Sequence, residues 1–205
     1  MSKQISDQYS VYVAPGMRGL YEDGCPVVID ERNNEERLNP QNLDDKIKIY
    51  ERETRGWFFA HVEGLLNQGG QQAFDNGFVI LMICASYFEA VEQYRTGQSS
   101  FGKTGKFFKN SIKRVIKDGN FDNSELNNLH SKFRCGLFHN GMTKKGVIFN
   151  FDSEKAIKFQ DSMIIINPQR LFILIEEDFD QYLYELRDTR STTVRENFNR
   201  MFSIT

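Results

Sequence analysis

The spacing of apolar residues divides the chain into a short irregular start and a long, mostly helical remainder. From Asp45 onward, Ile47, Tyr50, Trp57, Phe58, Val62 and Leu65 recur at helical intervals up to the stop Asn67-Gln68-Gly69-Gly70. A second helix is predicted over about 71–95. Its first half is apolar on all sides, which predicts burial, and its second half narrows to Cys84, Tyr87, Phe88 and Val91. A third helix is predicted over about 104–117, closed by Asp118-Gly119. The fourth starts at Asp122, with Glu125 as a capping-box partner, and ends at Asn140-Gly141. Its core stripe is Leu126, Leu129, Phe133 and Leu137.

The period then changes. Val147-Ile148-Phe149, Ile157-Lys158-Phe159 and residues 163–166 predict three short strands. Asn167-Pro168 starts another helix, with asparagine as cap and proline at the first position, and a last amphipathic stretch carries Val194, Phe198, Met201 and Phe202. Residues 1–44 hold Pro15, Pro26 and Pro40 with two short Val/Ile runs, and are read as a less regular N-terminal arm with room for two short strands. The expected fold class is mainly α. A helical bundle over residues 45–205 carries a small β insertion near residues 146–166.

Composition narrows the functional classes. A chain of 205 residues can bury a core without disulfides or metal. With 26 basic and 28 acidic residues, any binding of a polyanion must come from a local patch. Cys25, Cys84 and Cys135 are odd in number and form no C-x-x-C, which argues against a zinc ribbon or a disulfide framework. No carboxylate and histidine cluster has metal-ligand spacing, so no metal and no cofactor is implied. The start MSKQISDQYS lacks the apolar stretch of a signal peptide. The longest uninterrupted apolar run, residues 78–85, is far shorter than the roughly 20 residues of a membrane span, so a cytoplasmic protein is expected.

Two motifs carry candidate chemistry. Gly97-Gln98-Ser99-Ser100-Phe101-Gly102-Lys103-Thr104 fits the G-x-x-x-x-G-K-[ST] of phosphate-cradling loops, with Lys103 as the phosphate ligand and Glu176-Glu177-Asp178 as an acidic partner for magnesium. That chemistry needs a buried strand running straight into the loop. The residues before Gly97 have helical spacing instead, so an ordinary interhelical loop is the preferred reading and a nucleotide hydrolase the lesser one. The second motif is Arg134-Cys135-Gly136-Leu137-Phe138-His139, an R-x-x-x-x-H. On a wheel of about 100° per residue, with Leu126 as origin, Arg134 falls near 80° and His139 near 220°, bracketing Phe138 and Cys135 away from the core stripe. An apolar strip flanked by two phosphate-friendly side chains suggests a substrate groove or a dimer seam. The plainer reading is a helix-terminal histidine favoured by the helix dipole, with Arg134 covering Phe138.

Other residues bear on the same region. Six basic residues and no acidic one lie between Lys103 and Lys117. Lys106, Lys109, Lys113 and Lys117 share one predicted face, opposite Phe108, Ile112, Val115 and Ile116, and could contact a phosphate backbone or simply be solvated. Glu89 lies off the apolar stripe of its helix and is either solvated or an ion-pair partner for Arg134 or a lysine. His130, one turn before Arg134, borders the core stripe and reads as a packed histidine.

Two segments, FVILMICASYFEAVEQYRTG and LHSKFRCGLFHNG, resemble the HEPN family of small helical proteins, which includes metal-independent endoribonucleases. The resemblance covers roughly residues 71–145. It implies a homodimer that binds RNA, with Arg134 and His139 as the catalytic pair. A neutral imidazole can take the proton of an RNA 2′-hydroxyl, and a guanidinium can stabilise charge on the phosphoryl oxygens. An antitoxin or nucleotidyltransferase partner, and a toxin or defence role, are available through the family alone. Cys135 departs from the family, because catalytic members carry a polar residue such as Asn, Asp or His directly after the arginine and a thiol is a weak hydrogen-bonding group. A non-catalytic binding or scaffolding module is therefore the alternative.

Overall fold

The computed structural model describes residues 2–3, 5–6 and 9–204. Helix makes up 56% and strand 16%, so the fold is mixed α/β. This corrects the mainly α, HEPN-like bundle expected from the sequence. The chain divides into two compact units, one built from residues 1–61, 94–98 and 181–205, the other from residues 62–93 and 99–180.

In the first unit, strand β1 (Ser2–Lys3) pairs in parallel with β9 (Ser203–Ile204). The N-terminal region is not a loose arm. It forms an antiparallel meander of β2 (Val11–Ala14), β3 (Met17–Glu22), β4 (Cys25–Asp30) and β5 (Glu36–Leu38). The hairpins turn at Pro15-Gly16, at Asp23-Gly24 and at residues 31–35, so Pro15 marks the sheet rather than breaks it. Pro26 pairs with Tyr21 of β3, while β5 reaches only Val28 to Asp30, so the missing N–H of Pro26 interrupts no second ladder.

Helix α1 (Leu43–Thr54) is capped by Asn42, whose side chain accepts from the N–H groups of Asp44 and Asp45. It runs through a π turn (Arg55–Phe59) into α2 (Ala60–Leu66). The extra residue in that turn shifts the phase of the helix around it. Phe59 is buried at 3% exposure, whereas Trp57 and Phe58, expected on the core face, are 38% and 41% exposed. Arg52 of α1 forks onto Asp30 of β4 at 3.1 and 2.8 Å, tying helix to sheet. The core of this unit is aromatic: Tyr50 packs on Tyr94 at 4.9 Å and on Phe198 of helix α9 (Thr192–Met201) at 5.2 Å.

The second unit holds α3 (Gly70–Asp75), most of α4 (Gly77–Thr96), α5 (Thr104–Val115) and α6 (Asn123–Asn128). The capping box predicted at Asp122 and Glu125 is present, with mutual bonds of 2.8 and 3.0 Å. Another π turn (Leu129–Arg134) leads from α6 into α7 (Cys135–Asn140), and the N–H of Cys135 donates to the carbonyl of His130, five residues back. Strands β6 (Val147–Phe149), β7 (Ile157–Gln160) and β8 (Met163–Ile166) form a sheet in the order β6-β8-β7, parallel then antiparallel. Asn167 caps α8 (Pro168–Arg187), accepting from the N–H of Arg170 at 3.1 Å.

The stripe Leu126, Leu129, Phe133 and Leu137 is fully buried, as its spacing predicts. The first half of α4 is not buried on every side, because Val79 and Met82 are exposed. Among the described residues no helix is long and apolar enough to cross a membrane.

Candidate functional site

Helix α4 supplies the anchor of the site. Glu89 sits off its apolar face, half-buried, and the chain brings two partners to it. One carboxylate oxygen accepts from Nη2 of Arg134 at 2.6 Å, and the other accepts from the Ser100 hydroxyl at 2.8 Å. Both ends of the Glu89–Arg134 pair are only 15% and 16% exposed, so water screens it weakly. Of the two readings open for Glu89, the ion pair with Arg134 is the one the fold adopts. The guanidinium also lies over the Phe138 ring, 4.7 Å from its centre, in a cation–π contact. Its Nε is buried with no hydrogen-bond partner among the described residues.

The π turn decides what stands beside Arg134. In an α-helix residues four apart would stack; here residues five apart do, and Cys135 lies against His130. The Cys135 sulfur is 3.9 Å from Nδ1 and 3.8 Å from Nε2 of that ring. The two distances are nearly equal, so the contact singles out neither ring nitrogen as the partner of the thiol. The other side of His130 meets α5. Its ring lies 5.6 Å from that of Phe108, and a β-carbon on Gly105 would come within 3.2 Å of it.

The His130 pKa is lowered, first by burial and then by the charges of Arg134 and Lys109, with Glu89 acting in the opposite sense. His130 is therefore neutral at pH 7. A depressed histidine pKa means the folded state resists protonation, so its contribution to stability is present above the ordinary histidine value and is lost as pH falls from there through the lower folded-state pKa. In a proton NMR titration the His130 ring is expected to titrate below the usual value of about 6.5 and to move back up in Lys109→Ala. An unchanged midpoint in that variant would remove the lysine from the cause.

His139 occupies the last turn of α7 and is exposed. Among the described residues no hydrogen bond or ion pair joins it to Arg134. The two share a helix and flank Phe138, but Arg134 is held inward by Glu89 while His139 faces solvent. The wheel has the same contrast, with Arg134 at the border of the core stripe and His139 facing away from it. Gly136 between them is needed for space: a β-carbon there would lie 2.8 Å from the Lys144 nitrogen and 2.9 Å from the Met142 oxygen. Only glycine lets the segment after α7 close on the helix, where the Lys144 N–H bonds the Lys132 carbonyl at 2.9 Å.

The lysines divide. Lys106 and Lys113 are exposed on α5, opposite buried Phe107, Phe108, Ile112 and Val115. Lys109 is half-buried and donates to Asn127 at 2.9 Å, which turns it toward α6 and His130. Lys117 is exposed but lies beyond the last helical turn, past the C-cap Ile116. The segment before Gly97 is helix α4, and Glu176-Glu177-Asp178 lie within helix α8, so the strands required by a phosphate-cradling loop are absent from both places. The loop does something else. Ser100 is buried, bonded to Glu89 through its hydroxyl and to Gln93 through its N–H at 3.0 Å. Ser100 and Gln93 are the members that sequence reasoning passes over, whereas His130 is packed as its place beside the core stripe suggests. The usable signal is that Glu89 and Gln93, four apart, both sit off the apolar stripe.

Among the described residues no group of three or more His, Cys, Asp or Glu is placed to hold a metal ion. Cys84 is buried, and burial pushes its thiol pKa up, which leaves it unreactive. No family model, no curated protein and no solved structure matches this chain.

Proposed function

We propose that this chain binds RNA, in the manner that its resemblance to HEPN proteins implies, through the lysine-bearing side of α5 and the adjoining Arg134. The observation that carries the reading is the meeting of these two cationic elements at His130, whose pKa is lowered first by burial and then by the charges of Arg134 and Lys109. Exposed Lys106 and Lys113 extend the positive surface along α5, and the segment 97–117 contains no acidic residue to oppose it. The contacts offered are to phosphate, so binding is expected to depend on salt and to be indifferent to sequence.

Fluorescence anisotropy with a labelled RNA single strand at several salt concentrations tests this. Lys106→Ala and Lys113→Ala are each expected to weaken binding and to reduce the slope of log affinity against log salt by about 0.7. Lys158→Ala, exposed on β7, serves as the control and is expected to change neither. Wild-type protein that does not bind RNA at low salt would sink the proposal.

A second reading, metal-independent cleavage of that RNA, is favoured by the fixed position of Arg134. A guanidinium held by Glu89 and Phe138 is organised before any phosphate arrives, and His139 is exposed to solvent on the same helix. A second copy of the chain would bring a second such pair to the same strand.

A further inference from the structure

The loop between α4 and α5 puts a phenylalanine almost wholly into solvent. Phe101 is 91% exposed. Single exposed apolar residues are common on protein surfaces and often mean nothing. Here the exposure is built by the backbone. Ser100 is buried and doubly anchored to Glu89 and Gln93, and the Lys103 N–H returns to the Ser100 carbonyl at 2.7 Å. The N–H of Phe101 donates to the Ser99 hydroxyl at 3.2 Å. Gly102, at the third position of this turn, has φ +70°, the left-handed value a type II turn requires there. Phe101 is thus the corner residue of a pinned turn, and its ring is presented outward by a short tether from Glu89.

The surroundings say what such a ring would meet. Lys103 comes two residues later, Lys106 stands in the first turn of α5, and both are exposed. An aromatic face flanked by ammonium groups suits a ligand with flat apolar rings strung on an anionic chain. A protein or lipid partner needs a wider apolar surface than one ring.

We infer that Phe101 is a stacking platform for an unpaired base, with Lys103 and Lys106 on the neighbouring phosphates. This deepens and rests on the RNA-binding reading above, and narrows its ligand to single-stranded RNA. A base paired within a duplex has its faces covered by neighbours, so the ring offers duplex RNA nothing.

The test uses the full chain with a labelled oligouridylate and a labelled RNA duplex. Phe101→Ala is expected to weaken oligouridylate binding about 5- to 100-fold, with duplex binding and the salt slope unchanged. Phe101→Trp is expected to keep the affinity, with its added indole fluorescence quenched by oligouridylate. If Phe101→Ala binds oligouridylate as wild type does while Lys106→Ala is weakened, this inference is overturned and the RNA-binding reading stands. Wild-type protein that binds neither RNA overturns both. A change in sedimentation of Phe101→Ala without a change in RNA affinity would make the ring a protein contact and would also overturn it.

Discussion

Arg114→Ala is expected to destabilise the second unit more than any other single surface-to-core charge change. Arg114 donates to Glu92 and, at 2.9 Å, to Asp178, and its remaining arm reaches the Ser111 hydroxyl at 2.9 Å. Tyr87 adds its hydroxyl to Asp178 at 2.7 Å. Both carboxylate side chains are only 8% exposed. Burial opposes the charge on Arg114, yet Asp178 and Glu92 together more than offset it, so its pKa is raised. Removing the cation leaves two half-satisfied carboxylates in a site that water barely reaches. Breaking such a pair costs about 3–5 kcal/mol, and for a chain of this length that lowers the melting temperature by roughly 6–20 °C. The variant's deficit is expected to be full at neutral pH and to shrink in acid, because protonating the two remaining carboxylates relieves it. Thermal unfolding at two pH values, with Glu92→Gln and Asp178→Asn added to Arg114→Ala, measures this. A triple variant no more stable than Arg114→Ala would mean that the loss lies in packing and not in charge.

The other large effect concerns chemistry. RNA incubated with the chain in EDTA is expected to be cleaved, and His139→Ala is expected to slow that cleavage by about 100-fold or more. Arg134→Ala is a poor companion test, because it strands Glu89. Arg134→Lys keeps a cation for Glu89 but loses the planar fork, so it is expected to lose most of the rate with little change in melting temperature. Cleavage at the wild-type rate by both variants would take the reaction centre away from this pair. Intact RNA with the wild type would leave a binding module, and Cys135→Asn then becomes the informative variant, since it restores a polar side chain after the arginine.

Much of this fold is legible in the sequence where local chemistry is strong. The capping box at Asp122, the Asn167-Pro168 start of α8 and the stripe of Leu126, Leu129, Phe133 and Leu137 all come from short-range rules, and the structure has each of them. The N-terminal region is read as having room for two short strands, and the sheet there has four. Its three prolines argue against strands, yet Pro15 turns a hairpin, Pro26 lies where β4 has a single partner, and Pro40 comes after β5. Asp23-Gly24 between two apolar stretches is the signal to weigh against them. The site is legible in its members and less so in its arrangement. Arg134 and Glu89 lie 45 residues apart, and only the packing of α4 against the helix bearing Arg134 joins them. Helical periodicity also cannot show a π turn, which is why the expected faces of Trp57 and Phe58 are displaced.

That second π turn separates two properties of the arginine–histidine motif that a string of letters runs together. The five-residue step from Arg134 to His139 is set by α7 alone. The direction in which the pair points is set upstream, by the extra residue between Leu129 and Arg134. Were that turn to close as plain α-helix with the same letters, the motif would be re-phased by about 100°, swinging Arg134 off Glu89 while its distance to His139 stayed the same. A chain can therefore keep every letter of this motif and lose its aim through a change of hydrogen-bond pattern upstream.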